Sequence, residues 1–242
     1  MTDLEIGTSE PEYQIKVVET PPLSEEYIKF RDELYQKKLE EFQEAGKPLF
    51  NGDLYRFMGV EDSNVLLGHM QYADRLVRSE LSVEEIERRF GKDYVMKNAC
   101  VDAIMVTTDR KIVVGVKTRS VDLKQGKLGF VGGNMNADEV KVSSFEDIYT
   151  MMSKEIEEET TVVTNREKMS FLRVGVVDTW ASFYFLYRLD ISSKDVGTIF
   201  KDSKDKEFAE LITMTSEEIK NTDRVGIGDF NLTKEWIEEV VS

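Results

Sequence analysis

Apolar side chains are spaced differently in the two halves of the chain. In the segment between Ser24 and Gly46 they recur at helical spacing, as on one face of a helix. Ser24 is of a type that caps helices and Gly46 of a type that ends them, so a long helix is predicted between them. Its apolar positions are Tyr27, Phe30, Leu34 and Leu39. The polar residues 1–23 before it are predicted to form an extended arm.

Two further elements follow from short local patterns in the same region. Asn51-Gly52 is typical of a turn and leads into a predicted strand. Ser82 and Glu85 have the spacing of a capping box, which predicts a short helix ending near Gly91.

From residue 99 onward, short runs of β-branched and aromatic residues predict strands. Two of them are joined at Thr108-Asp109-Arg110, and a third ends at Gly132-Gly133. Later strands are predicted in "MSFLRVGVVDTW", "ASFYFLYRLDI" and "EFAELITMT", and helices in "KDVGTIF", from Thr215 and in "TKEWIEEVV". This order predicts an α/β fold in which a sheet is covered by helices.

An acidic helix follows the glycine pair. Ser143 and Glu146 have the capping-box spacing, so the helix is predicted to start there. Ile148, Met152 and Ile156 then form its buried stripe.

The glutamates of this helix do not all point away from that stripe. At about 100° per residue, Glu157 lies opposite the stripe, whereas Glu155 and Glu159 point inward and Glu158 flanks them. Clustered inward carboxylates repel each other, and a divalent cation bound through their oxygens removes that cost. The geometry leaves open a metal site or a solvated acidic helix end.

Composition limits the chemistry. The chain has 242 residues, a net charge of -15, one cysteine (Cys100) and one histidine (His69). Cysteine- or histidine-rich metal sites are therefore excluded, and nucleic-acid binding is disfavoured. No apolar run is long enough for a membrane span, and the acidic N-terminus is unlike a signal peptide, so we expect a cytoplasmic protein without a membrane partner.

These residues resemble the Nudix hydrolase family, whose signature is G-x5-E-x7-R-E-U-x-E-E-x-G-U, with U an aliphatic residue. "KEIEEETTV", residues 154–162, is similar to its second half, and Gly133 and Glu139 match the G-x5-E of its first half. Three features depart from the signature. About seven extra residues follow Glu139, so that Glu146 has the x7 spacing instead; Lys154 replaces arginine; and Thr161 replaces glycine.

The resemblance implies a Nudix-type α/β/α sandwich with a mixed sheet at residues 99–242. Residues 1–98 are expected to be an N-terminal α+β extension for substrate recognition or dimerisation. The implied reaction is the Mg²⁺- or Mn²⁺-dependent hydrolysis of a nucleoside diphosphate linked to another moiety, giving a nucleoside monophosphate and a phosphorylated product. A fainter similarity of the N-terminal part to UDP-sugar hydrolases favours a nucleotide sugar, of the UDP-sugar or ADP-ribose type. A homodimer is also implied.

The resemblance also implies roles for individual residues. The predicted catalytic and metal-binding residues are Glu155, Glu158 and Glu159, with the Gly132 carbonyl as a further metal ligand. The predicted substrate-binding residues are Arg119, Gly133 and Phe130, and the predicted supporting residues are Lys154, Glu139 and Glu146.

Two other classes of function stay open. Lys154 and Thr161 also fit a Nudix-fold protein that binds a nucleotide as a sensor with little or no catalysis. An interaction scaffold would need no metal at its acidic helix.

Overall fold

The computed structural model describes residues 13–118, 126–177, 179–200, 207–223, 226, 230, 233–234 and 236–241. The described strands are β1 (Gln14–Val17), β2 (Asp53–Glu61), β3 (Asn64–Gln71), β4 (Lys97–Val106), β5 (Ile112–Lys117), β6 (Leu128–Gly129), β7 (Val131–Asn134), β8 (Met169–Val176), β9 (Trp180–Arg188) and β10 (Phe208–Met214). The described helices are α1 (Glu25–Glu44), α2 (Tyr72–Glu80), α3 (Val83–Phe90), α4 (Phe145–Glu159), α5 (Val196–Phe200), α6 (Ser216–Asn221) and α7 (Ile237–Val241). None of these helices is long and apolar enough to cross a membrane.

The strands form one mixed sheet. Its main order is β1-β3-β2-β4-β5-β10; β9 pairs with β4 in parallel and with β8 in antiparallel orientation. One edge of β4 is shared, since β2 pairs with its first residues, β7 with its middle and β5 with its last residue. The glycine pair of β7 lies opposite Asp102 and Val101, in the middle of this shared edge.

Alternation along β4 places helices on both faces of the sheet. Val101 and Met105 face a core that includes Ile148 and Ile156 of α4. Ile104 and Val106 face a second core with the C-terminal helices. The predicted α/β fold, a sandwich of helices around a mixed sheet, is confirmed.

The N-terminal part adds β1, β3 and β2 to this sheet and covers one face with α1, α2 and α3. The predicted caps are present: Ser24 accepts a hydrogen bond from the Tyr27 N–H, and Ser82 and Glu85 form the capping box of α3. The domain boundary at residue 98 stays a prediction.

Two predictions about local structure are corrected. The arm contains β1, which pairs in parallel with β3 and buries Ile15; a strand of four residues is too short to show a clear alternation. Helix α4 begins one residue later than predicted, because its N-cap is Ser144 and the capping carboxylate is Asp147.

Candidate active site

Helix α4 is held at its first turn by the Asp147 carboxylate. This carboxylate accepts hydrogen bonds from the N–H groups of Ser143 (2.8 Å) and Ser144 (2.9 Å), and from both serine hydroxyls. These bonds, those of Ser143 first, lower the pKa of Asp147. Because its start is fixed and its apolar stripe is buried, the last turn of α4 lies beside β7.

Glu155 lies directly over Gly133. A Cβ atom added at Gly133 would lie 2.5 Å from Glu155 Oε1. A side chain at position 133 would force the Glu155 carboxylate to move from this place. Gly133 thus lies against a predicted metal-binding glutamate, and its predicted role in substrate binding stays a prediction.

Glu159 is buried against the other glycine of the pair. Glu159 is only 2% exposed, and its Oε2 accepts a 2.7 Å hydrogen bond from the Gly132 N–H. Its Oε1 has no hydrogen-bond partner. Gly132, at φ +155°, fits because a side chain would collide with the backbone of Val101 and with Asp102 on β4. A buried carboxylate oxygen without a partner is costly unless it is protonated or bound to a cation.

Charged neighbours complete the cluster around Glu159. Burial raises the pKa of Glu159 well above its usual range, and the positive charge of Lys117 opposes this rise. The negative charges of Glu207 and Glu155 add to it. Lys117, at the end of β5, is 3% exposed in its side chain and forms an ion pair with Glu207, just before β10. Its ammonium group also lies 4.1 Å from the centre of the Phe208 ring.

Lys154 connects two of the other predicted residues. It forms an ion pair with Glu139 and lies 3.8 Å from Glu158 one turn later. Asn136 also donates to Glu139, at 2.8 Å. The extra residues after Glu139 therefore loop out, and Glu139 keeps its place beside Lys154.

Two predicted site residues are not brought into this cluster. Glu146 lies at the opposite end of α4 and pairs with Arg166 at 3.2 Å, because thirteen helical residues separate it from Glu159 by about 20 Å. Phe130 is 1% exposed and packs in the core against Phe230, so no ring face is left for a substrate. Arg119 lies outside the described residues.

The cluster is suited to an ion such as Mg²⁺ that takes only some of its ligands from the protein, and not to an ion that needs all of them from the protein. No group of three or more Asp, Glu, His or Cys side chains in the described part of the chain is arranged to hold a metal ion. Glu155 and Glu159 supply two carboxylates at one place, including the Oε1 without a partner. Mg²⁺ is commonly held by one or two carboxylates together with water and substrate phosphates.

Two members of the cluster were not chosen from the sequence. Neither Lys117 nor Glu207 is among the predicted site residues. They are ninety positions apart and meet because β10 pairs with β5, where Phe208 lies opposite Lys117. No local sequence pattern predicts this contact, since Lys117 ends an apolar run and Glu207 ends a run of charged residues.

Comparisons with known proteins add a likeness of structure. No family model matches the sequence, and no curated protein matches it. Matching solved structures include a MutT protein from Methanosarcina mazei Go1, at 14% identity, a TM-score of 0.41, and coverage of 59% of this chain and 94% of that one. The Nudix domain of Shewanella oneidensis NrtR, solved with ADP ribose, matches at 13% identity and a TM-score of 0.45, covering 60% of this chain and 89% of that one. Tm1382, a putative Nudix hydrolase by its description, matches at 15% identity and a TM-score of 0.43, covering 85% of this chain and 96% of that one.

These matched structures bear descriptions from the family that the acidic helix resembles. Their sequence identities are low, and the likeness concerns the course of the backbone.

Proposed function

We propose that this chain is a Nudix-type diphosphatase that hydrolyses a nucleoside diphosphate linked to a second moiety, with a nucleotide sugar as the substrate class. The observation that carries the proposal is the meeting of Glu155 and Glu159 at the Gly132-Gly133 pair, with one buried glutamate oxygen left without a partner. Carboxylates that point inward at a glycine pair are energetically unfavourable without a partner, which argues against a solvated helix end. They are suitable ligands for a cation that also binds a diphosphate.

Each residue has a definite task in this proposal. Glu155 and Glu159 hold Mg²⁺ or Mn²⁺, which when bound neutralises phosphate charge and activates water. The Gly132 N–H fixes the Glu159 carboxylate, and the bare Gly133 admits Glu155. The Gly132 carbonyl stays a candidate ligand.

The flanking charges support these carboxylates. Lys154 orients Glu158, which is half exposed and suited to accept a proton from the attacking water. Glu139 holds Lys154 in turn, so the Lys154–Glu139 pair has the orienting role that the resemblance gives to an arginine. Lysine makes this contact as a point charge rather than as a planar fork.

The test is a hydrolysis assay on three variants of one helix. UDP-glucose and ADP-ribose are incubated with Mg²⁺ and then Mn²⁺, and nucleoside monophosphate and sugar phosphate are quantified. Glu155→Gln and Glu159→Gln are expected to lower kcat roughly 100-fold or more, since removal of even supporting groups costs about 10- to 100-fold at metal sites.

Glu157→Gln is the matched control. Glu157 is on the exposed side of α4, and its carboxylate accepts hydrogen bonds from Thr164, which a glutamine oxygen can also accept. It should keep the wild-type rate. Wild-type rates in Glu155→Gln and Glu159→Gln would show that the site assignment is wrong.

Binding without turnover is the second candidate function. The arrangement that favours it is the engagement of Glu158 by Lys154, which leaves two rather than three glutamates at the glycine pair. Thermal stabilisation by UDP-glucose or ADP-ribose, without product in the same assay, would favour the sensor over the enzyme.

A further inference from the structure

A row of polar side chains lies on the sheet face opposite α4. Asn98, Cys100 and Asp102 alternate along β4 on the face that continues into Ile104 and Val106. Asn134 of β7 lies beside Cys100, and its Oδ1 accepts a 2.7 Å hydrogen bond from Asn98 Nδ2. We call Asn98, Cys100, Asp102 and Asn134 the polar floor. It lies between the N-terminal helices and the core of the C-terminal helices.

Arg56 stands at one end of the polar floor. It is on β2 directly opposite Asn98, so that both side chains leave the same face of the sheet. Arg56 is 4% exposed and Asn98 is 5% exposed. Cys100 and Asn134 keep partial exposure, which gives the floor a connection to solvent.

Arg56 has no hydrogen bond or ion pair with any residue that the structure describes. Its Nε is fully enclosed without a partner, and so is Asn98 Oδ1. A buried donor and a buried acceptor are thus both unsatisfied at neighbouring positions, whereas most buried polar groups in proteins are paired.

The nearby acids Asp74 and Asp93 form no hydrogen bond or ion pair with Arg56. Asp74 is the most buried of them, and it pairs with Arg31 at 3.4 Å and accepts the Gln71 N–H at 2.7 Å. Asp74, and after it the exposed Asp93, act on Arg56 only through their negative charges. In a chain with 47 acidic and 32 basic residues, a carboxylate partner for Arg56 would be easy to provide. A buried cation without a hydrogen-bonded partner is destabilising, and a bound anion lowers that cost.

We propose that Arg56 binds an oxyanion, a phosphate or carboxylate, of a small hydroxylated organic ligand that lies along the polar floor. The guanidinium group suits an oxyanion because its fork of N–H donors matches two oxygen atoms. Asn98 Oδ1 accepts a hydrogen bond from a hydroxyl group next to that anion.

The Arg56 end of the polar floor is separate from the glutamate cluster, whereas Asp102 at its other end lies beside Gly132. Asn98, opposite Arg56, is four residues along β4 from Asp102, so about 13 Å separates Arg56 from the glycine pair. The oxyanion therefore belongs either to the far end of an extended substrate or to a second ligand. Binding at Arg56 does not depend on the proposed hydrolysis.

The test measures anion binding with the metal site disabled. Inorganic phosphate and glycerol 3-phosphate are titrated into the protein by calorimetry, in EDTA and at constant ionic strength set by potassium chloride. Saturable binding is expected for the wild type and for Glu159→Gln, with at least tenfold weaker binding for Arg56→Met. Arg88→Met, which removes an exposed arginine of α3, is the matched control and should bind like the wild type.

Thermal unfolding without ligand separates binding from a structural role. If Arg56 is kept for a ligand, Arg56→Met removes a buried unpaired charge, and its Tm should equal or exceed that of the wild type. A lower Tm together with unchanged phosphate affinity would overturn the proposal, as would the absence of binding to the wild type. Should Arg56→Met not fold, Arg56→Lys keeps the charge but loses the fork, and unchanged affinity in that variant would also overturn it.

The kinetics of substrate hydrolysis show whether the oxyanion belongs to the substrate or to a second ligand. If the oxyanion is part of the substrate, Arg56→Met raises KM while kcat changes little. If the ligand is separate, KM is unchanged and added glycerol 3-phosphate alters the rate of the wild type but not that of the variant.

Discussion

At the scale of single residues, glycines and glutamates define the candidate site together. The sequence predicts the inward direction of Glu155 and Glu159, because helical geometry fixes it relative to Ile148 and Ile156. It does not predict that Glu159 becomes 2% exposed, since this depends on how closely α4 approaches β7. At Gly133 a side chain would displace the Glu155 carboxylate, whereas at Gly132 it would collide with β4.

Gly133→Ala tests this steric dependence. The added methyl group meets the Glu155 carboxylate, so this carboxylate must move from its place beside Gly133. We expect activity in the hydrolysis assay to fall roughly 10- to 100-fold, as for lost positioning at a metal site. Gly197→Ala is the control, because nothing lies within 4 Å of the added atom there. Equal activity of the two variants would show that the Glu155 position is unimportant.

At the scale of elements, the sequence predicts most helices and strands but only some of their contacts. The caps of α1, α3 and α6 are local patterns and are found where predicted. Whether Glu139 or Glu146 supports Lys154 could not be decided from spacing, because the answer depends on the path of the loop between β7 and α4. The structure places Glu139 there and leaves Glu146 with Arg166.

The Asp147 cap of α4 gives a prediction with a defined pH dependence. Asp147→Ala should lower the free energy of unfolding at pH 7 by about 1 kcal/mol, as for other lost caps. The pKa of Asp147 is lowered in the folded state, so its stabilisation is complete above the unfolded value of about 3.9. That contribution is lost as the pH falls below this value and through the folded pKa. Denaturant unfolding of both proteins from pH 7 to pH 2 should show the curves converging in acid, and a pH-independent difference would contradict this origin.

At the scale of the whole molecule, the site depends on contacts that are distant in sequence. Lys117 and Glu207 join the cluster through the pairing of β5 with β10, and Arg56 reaches the polar floor through the pairing of β2 with β4. Sequence patterns predict each of these strands but not which strands become neighbours. The sheet fold and the acidic helix were therefore predictable, whereas the Lys117–Glu207 pair and the buried Arg56 were not.

The charges gathered by these contacts predict linkage between a divalent cation and folding. The cluster has a net charge of minus two when its three carboxylates are ionised, because Lys117 balances only one of Glu155, Glu159 and Glu207. A divalent cation balances the remaining charge. Because the unfolded chain does not bring these groups together, Mg²⁺ or Mn²⁺ should stabilise the wild type by about 2.7 kcal/mol at a concentration of 100 times Kd. Differential scanning fluorimetry without any substrate measures this as a saturable rise in Tm.

Variants separate this linkage from general effects of salt. The double variant Glu155→Gln with Glu159→Gln should lose the rise in Tm, whereas Glu157→Gln should keep it. The double variant without added cation should unfold at a Tm no lower than that of the wild type, because two repelling carboxylates have been neutralised in a buried place. A rise in Tm that is the same in all variants would show that the cation acts elsewhere on this acidic chain. A double variant that melts much lower without cation would instead show that the glutamates serve the packing of α4.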